Sequence, residues 1–195
     1  MQKKLWIMLL SLIVPMSAFA DVNMKPQTSG EWRDYLNYRR DQTLKELYKL
    51  QPQARREVEN AKGYAVFTSL NVNLIFASVS GGRGILHENG FLGGKDTYMR
   101  MAQGGLGLGL GAKDFRAVFI FDNKEAMDKF LNSGWSFGGE SDAAFKGGDT
   151  GAAMSGALAI APGVRIYQLT ESGLALQATV HGTKYWKDTY VNDGK

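Results

Sequence analysis

Cysteine is absent from all 195 residues, which excludes disulfides and thiolate metal sites, so stability must rest on packing and the hydrogen-bonded backbone. Histidine is nearly absent too. His87 and His181 lie far apart in the chain, and a zinc site would need both of them plus carboxylates; no metal and no cofactor is expected. No apolar run is long enough to span a membrane as a helix. The stretch from Leu5 to Val14 falls well short of the roughly 20 residues required. Nor does any pair of carboxylates stand out as a general acid and base.

What the first residues do contain is ordered in a familiar way. Lys3 and Lys4 precede the apolar run, and Ala18-Phe19-Ala20 closes it with small residues at the A-x-A positions. This is a secretory signal peptide, with cleavage expected after Ala20. Because no cysteine follows, an acylated-Cys anchor is excluded. Residues 21–30 read as a polar, flexible lead, and residues 31–195 have the length of one ordinary domain.

The formal charge of +4 overstates how basic the exported protein is, since loss of Lys3 and Lys4 lowers it by two. Between Glu31 and Lys62 there are eight Lys or Arg against six Asp or Glu, whereas residues 63–195 balance at twelve against twelve. The surplus therefore sits in the N-terminal helical segment. Export argues against nucleic acid as a partner and favours a periplasmic or secreted protein whose basic patch meets a membrane or another protein.

Glu31 to Leu50 contains no Gly or Pro, and Trp32, Leu36, Leu47 and Leu50 share a narrow arc at helical spacing, flanked by Tyr35 and Leu44. Pro52 stops this helix and can open a shorter one running through Asn60. After Gly63 the texture becomes β-branched and aromatic. Strands are expected at 64–70, 74–80, a run ending near His87, 97–103, 115–121, 157–161, 164–170 and 174–180, with Asn89-Gly90, Pro162-Gly163 and Ser172-Gly173 as turns. The segment from Gly104 to Ala112 alternates leucine with Gly105, Gly107, Gly109 and Gly111, a strand with one bare face that permits close approach or sharp bending. FRAVFIF is apolar on both faces, as in a covered central strand. Asp122 with Glu125 reads as a capping box for one inserted helix ending before Gly134. The expected class is α+β: N-terminal helices, then a curled, mostly antiparallel, barrel-like sheet interrupted by one helix.

Two short motifs invite chemistry. GWSFG (residues 134–138) matches the G-x-S-x-G nucleophile elbow, with Asp142 or Asp149 and then His181 following in chain order. An elbow needs a strand entering and a helix leaving, whereas here a helix ends at the first glycine, so a serine hydrolase is a minor alternative to a non-catalytic protein. The glycines at 107–111 loosely resemble a dinucleotide fingerprint, but a strand rather than a helix is expected after them. The first helix offers more. Arg39 projects into its apolar arc, Arg40 lies at the edge, and Arg33, Lys45 and Lys49 surround it. These are either snorkelling side chains on a packed helix or a phosphate-facing surface with Trp32 and Tyr35 as interfacial anchors.

GYAVF at 63–67, GGRGIL, GGLGLGLGAKDFRAVFIF, APGVRIY and LTESGLALQATVHGTKYWKD together span Ala61 to Asp188, and with them the chain resembles the SYLF domain family, which includes the yeast actin-patch domain and many secreted bacterial proteins. The resemblance implies a membrane-lipid-binding domain, with an amphipathic N-terminal helix and a basic surface. Carried onto this sequence, lipid contact would fall on Arg33, Arg39, Arg40, Lys45 and Lys49, with Trp32 and Tyr35. Phe91-Leu92-Gly93-Gly94 replaces the tryptophan-containing stretch of eukaryotic members, and phosphoinositides are foreign to a bacterial envelope, so the implied ligand is anionic phospholipid or lipid A. The expectation is a peripherally membrane-associated, non-catalytic envelope module; the alternative is a structural envelope protein that docks a protein partner.

Overall fold

The computed structural model describes residues 26–70, 79–91, 93–104, 116–133, 135–136, 157–170, 173–175 and 183–194. The expected signal peptide, the segment expected to form a glycine-faced strand at 105–111, most of the strands expected at 74–80 and 174–180, and Asp142, Asp149 and His181 lie outside them.

Helix α1 (Ser29–Leu50) starts two residues before Glu31 because Thr28 caps it. The Thr28 hydroxyl accepts the Glu31 amide at 3.2 Å, and the Glu31 carboxylate accepts the Thr28 amide at 3.3 Å and that of Gln27 at 2.8 Å. The lead is thus helical from Ser29 onward, and those backbone amides hold the Glu31 carboxyl below its usual range. Pro52 disfavours helical geometry at Gln51, whose φ of −138° and ψ of 88° end the helix. Helix α2 (Gln53–Asn60) follows at once.

Among the described residues nine strands form one curled antiparallel sheet: β1 (Gly63–Leu70), β2 (Val79–Glu88), β3 (Lys95–Gly104), β4 (Arg116–Phe121), β5 (Trp135–Ser136), β6 (Leu158–Ala161), β7 (Val164–Thr170), β8 (Gly173–Ala175) and β9 (Thr183–Lys187). Their order is β5-β9-β3-β2-β1-β4-β7-β6, with β8 also on β7. Helix α3 (Lys124–Ser133) lies between β4 and β5, and a short helix α4 (Thr189–Asp193) follows β9. The architecture is the expected α+β.

Alternation along the strands sorts the core into two layers. Ala65, Phe67, Ala117, Phe119, Phe121 and Ile166 face α3, where Met127, Phe130 and Leu131 complete one cluster. Val66, Val118, Ile120, Tyr167 and Leu169 face the other way, against Leu44 and Leu47 of α1 and Ala54 and Val58 of α2. All six β4 residues are buried, as its sequence predicted. Phe67, Phe119, Phe130 and Tyr185 meet with ring centroids 4.7 to 6.1 Å apart, and aromatic pairs of this kind each add about 0.5 to 1.5 kcal/mol beyond their burial.

A close backbone approach over glycine occurs on β2. A Cβ at Gly84 would strike the Val66 carbonyl oxygen and the Phe67 ring, and one at Gly82 would lie 2.5 Å from the Thr68 carbonyl oxygen. The cap of α3 differs from expectation. Asn123, one residue beyond Asp122, accepts the Ala126 amide at 2.8 Å, while the Asp122 carboxylate is taken by Arg165, whose Nη2 donates to it at 2.7 Å.

Candidate functional site

Helix α1 lies on the sheet through Leu36, Thr43, Leu44 and Leu47, all buried. Its basic residues divide into two sets. Arg33 donates from Nε to the Val191 carbonyl and from Nη2 to that of Asn192, both at 2.8 Å; the guanidinium fork thus satisfies the carbonyls at the C-terminal end of α4 and complements its dipole. Arg40 donates to Asp96 of β3 at 3.0 Å and to Asp41 at 2.9 Å. Burial opposes its charge, but the Asp41 hydrogen bond and the charges of its neighbours outweigh that, and its pKa rises. Arg39 is partly buried, with Nε shielded from solvent. Lys45 and Lys49 are exposed. The outward face of α1 therefore carries Glu31, Asp34 and Asp41 beside Lys45 and Lys49: three acids against two lysines. The arginines of α1 are thus turned toward the fold, and the exposed cations of the segment are Lys45 and Lys49 with Arg55, Arg56 and Lys62 beyond the helix.

Trp32 and Tyr35 sit edge to face, 5.8 Å between centroids, and pack with Leu36, Ile85, Tyr98, Val191 and Tyr190. On its far side Trp32 carries the Arg83 guanidinium, 3.9 Å from the ring centroid. Arg83 in turn donates from Nε to Asp188 at 2.6 Å, and Arg100 approaches the same carboxylate at 3.7 Å. The Asp188 side chain is 1% exposed and also accepts the Val191 amide at 3.3 Å, so it caps α4 as well. Asn192 secures that helix to β3: its amide donates to the Tyr98 carbonyl at 2.8 Å and its oxygen accepts the Tyr98 amide at 2.9 Å. Two arginines thus share one carboxylate, and the Arg100 side chain remains 48% exposed.

A second polar cluster lies further along α1. His87 Nδ1 is 2.6 Å from Asp96 Oδ1, with the Tyr64 ring 5.1 Å from the imidazole. The pair has the look of a base and its orienting acid, but Ser136 is remote: it pairs with Lys184 at the opposite edge, three strands across from β2 and about 20 Å along it. α3 precedes Ser136 where an elbow needs a strand. A shallow polar depression lined by Gln53, Arg56, Glu57, Asp122 and Arg165 has its Arg165 engaged by Asp122 and Glu57 at 2.7 and 2.5 Å.

Of the residues expected to meet lipid, the fold groups Trp32, Tyr35 and Arg33 at the α4 end of α1 and sets Arg40, Lys45 and Lys49 progressively further away. Arg83, Arg100, Lys184, Trp186 and Asp188 were not singled out by the sequence. The alternation of Lys184 and Trp186 with buried Tyr185 was the available signal.

No family model matches the chain. It is 33% identical over 165 residues to Beta cell expansion factor A of Aeromonas veronii, an alignment covering 85% of this chain and 60% of that relative. The chain thus spans less than two thirds of the relative's length. Among the described residues no helix is long and apolar enough to cross a membrane.

Proposed function

We propose that this protein is an exported, non-catalytic module that associates peripherally with anionic phospholipid or lipid A at the cell envelope. The observation that carries the reading is the corner where Trp32 covers Arg83. There one buried carboxylate, Asp188, serves two arginines, and Arg100 stays half open to solvent. A tryptophan beside under-neutralised cations is the composition that settles at the boundary between headgroups and acyl chains. The amino-terminal signal sequence would deliver the protein to that surface. Docked α1 contributes Trp32 and Tyr35 directly, while Arg33 and Arg40 serve it by holding the helix in place.

The test is co-sedimentation of the purified protein with vesicles of phosphatidylglycerol in phosphatidylcholine, compared with phosphatidylcholine alone, at low and high salt. Preference for the anionic vesicles, weakened by salt, supports the reading. Equal binding to both, or binding to neither together with retention on an immobilised envelope protein, replaces it with the protein-docking alternative. Serine-reactive labelling lost in Ser136→Ala would instead revive a hydrolase.

A further inference from the structure

The strand register aligns residues that lie in distant parts of the chain. Arg83 of β2 is directly opposite Arg100 of β3, and Arg100 is directly opposite Trp186 of β9. Directly paired residues project from the same face of a sheet, so one row crosses three strands as Arg83, Arg100, Trp186. Trp32 of α1 closes its far end by stacking on Arg83. Like charges directly opposite one another destabilise a strand pair; here Asp188 takes the Arg83 Nε and lies 3.7 Å from that of Arg100. The next row is Gly81, Ala102, Lys184. Its first two members are small, and Lys184 is exposed. Two cations therefore share one carboxylate between two tryptophans, and a third, Lys184, stands one row further on, on the part of the face that α1 leaves uncovered beyond Trp32.

We infer that this face of β2, β3 and β9 is the surface that meets the anionic bilayer, with Arg100 and Lys184 contacting lipid phosphates and Trp32 and Trp186 at headgroup depth. The inference rests on the lipid reading above and changes its location. It moves phosphate contact from α1, whose outward face is net acidic, to the sheet. Neighbouring strands are about 4.8 Å apart, so the row from Arg83 to Trp186 spans about 10 Å, wide enough for one or two headgroups. Charge complementarity selects the occupant. The patch has unspent positive charge, and its flanking aromatics are amphipathic rings suited to an interface rather than an apolar groove suited to a helix.

The experiment compares four proteins in the same vesicle assay: wild type, Arg100→Gln with Lys184→Gln, Trp186→Ala, and Lys45→Gln with Lys49→Gln. Each cation near an anionic surface contributes about fivefold in partitioning, so the Arg100 and Lys184 double variant should bind about thirtyfold more weakly and lose most salt dependence. Trp186→Ala should weaken binding without altering the salt dependence. The Lys45 and Lys49 variant should match wild type. Because Arg83 keeps its bond to Asp188, unchanged melting temperatures are expected of the variants that remove only charge; Lys184→Gln alone, at an exposed position, serves if the double variant is destabilised and should bind about fivefold more weakly. Undiminished binding by the Arg100 and Lys184 variant, or loss confined to the Lys45 and Lys49 variant, overturns the sheet-face assignment while leaving lipid binding intact. Absence of anionic preference in the wild type sinks the lipid reading itself.

Discussion

Replacing Asp188 separates stability from binding in opposite directions. The side chain is 1% exposed, bonds Arg83 at 2.6 Å and caps α4 through the Val191 amide. Removing one member of a buried ion pair costs about 3 to 5 kcal/mol, and the lower end applies because Arg100 is half exposed and Arg83 can recruit water. Losing the cap adds about 1 kcal/mol. Asp188→Ala should therefore destabilise by about 4 kcal/mol, lowering Tm by about 10 °C for a chain of this size. Asp188→Asn keeps a good capping side chain and an acceptor for Arg83 but removes the charge, so about 3 kcal/mol should be lost. The difference between the two, read from urea denaturation monitored by tryptophan fluorescence, gives the cap together with the neutral acceptor that Asn keeps for Arg83. The same Asp188→Asn protein, although less stable, should bind anionic vesicles about fivefold more tightly, because one cation is no longer neutralised. A cost below about 1 kcal/mol for Asp188→Ala would show that the arginines do not depend on this carboxylate, and weaker vesicle binding by a folded Asp188→Asn would contradict the charge reasoning.

Gly84→Val should destabilise by at least the roughly 1 to 3 kcal/mol typical of overpacking, because its Cβ meets the Val66 carbonyl and the Phe67 ring; a melting temperature equal to wild type would refute this. Arg33→Ala should cost about 1.5 to 3 kcal/mol through its two bonds to α4 carbonyls, with raised amide exchange in residues 189–193 as the specific readout. Burial pushes the Tyr48 phenol from 10 up to about 12, and those of Tyr167 and Tyr185 also upward. The unfolded phenols release protons first, so this stabilisation is fully present below pH 10 and falls as pH rises above it, with the part due to Tyr48 lost as pH passes about 12. Denaturant midpoints that stay level from pH 9 to pH 11 would rule it out.

The elements with strong local signals were legible in the sequence: the arc of Trp32, Leu36 and Leu47 with Leu44 at its flank, although its last member, Leu50, is exposed at the helix end, the doubly apolar β4, and the turn at Pro162-Gly163, where Gly163 has a φ of +71°. Adjacent candidates were harder. Asp122 and Asn123 can each cap α3, and what decided between them was Arg165, on a strand more than forty residues away. Helical periodicity left open whether Arg33 and Arg40 belong to a packed helix or to a phosphate-facing surface, because it counts apolar residues; their carbonyl and carboxylate partners come from α4 and β3, which no local window includes. The Arg83, Arg100 and Trp186 row depends on the registers of two strand pairs, and register is a tertiary property. Asp188 before Thr189-Tyr190-Val191 was a readable cap, but the short helix behind it has too little apolar surface to announce itself.

The clasp between α1 and α4 joins nearly the first and last of the described residues: Arg33 reaches Val191 and Asn192, and the Tyr190 hydroxyl donates to the Gln27 carbonyl at 2.7 Å. In order of synthesis, the helix made first waits for the turn made last, and β9 must also arrive before the β3 edge is covered. Such long-range closure raises contact order and slows folding. A growing chain would therefore expose the Leu36 and Tyr98 surfaces until residues 183–194 had emerged, and a deletion from the C-terminal side would loosen the opposite end of the sequence before it disturbed the centre.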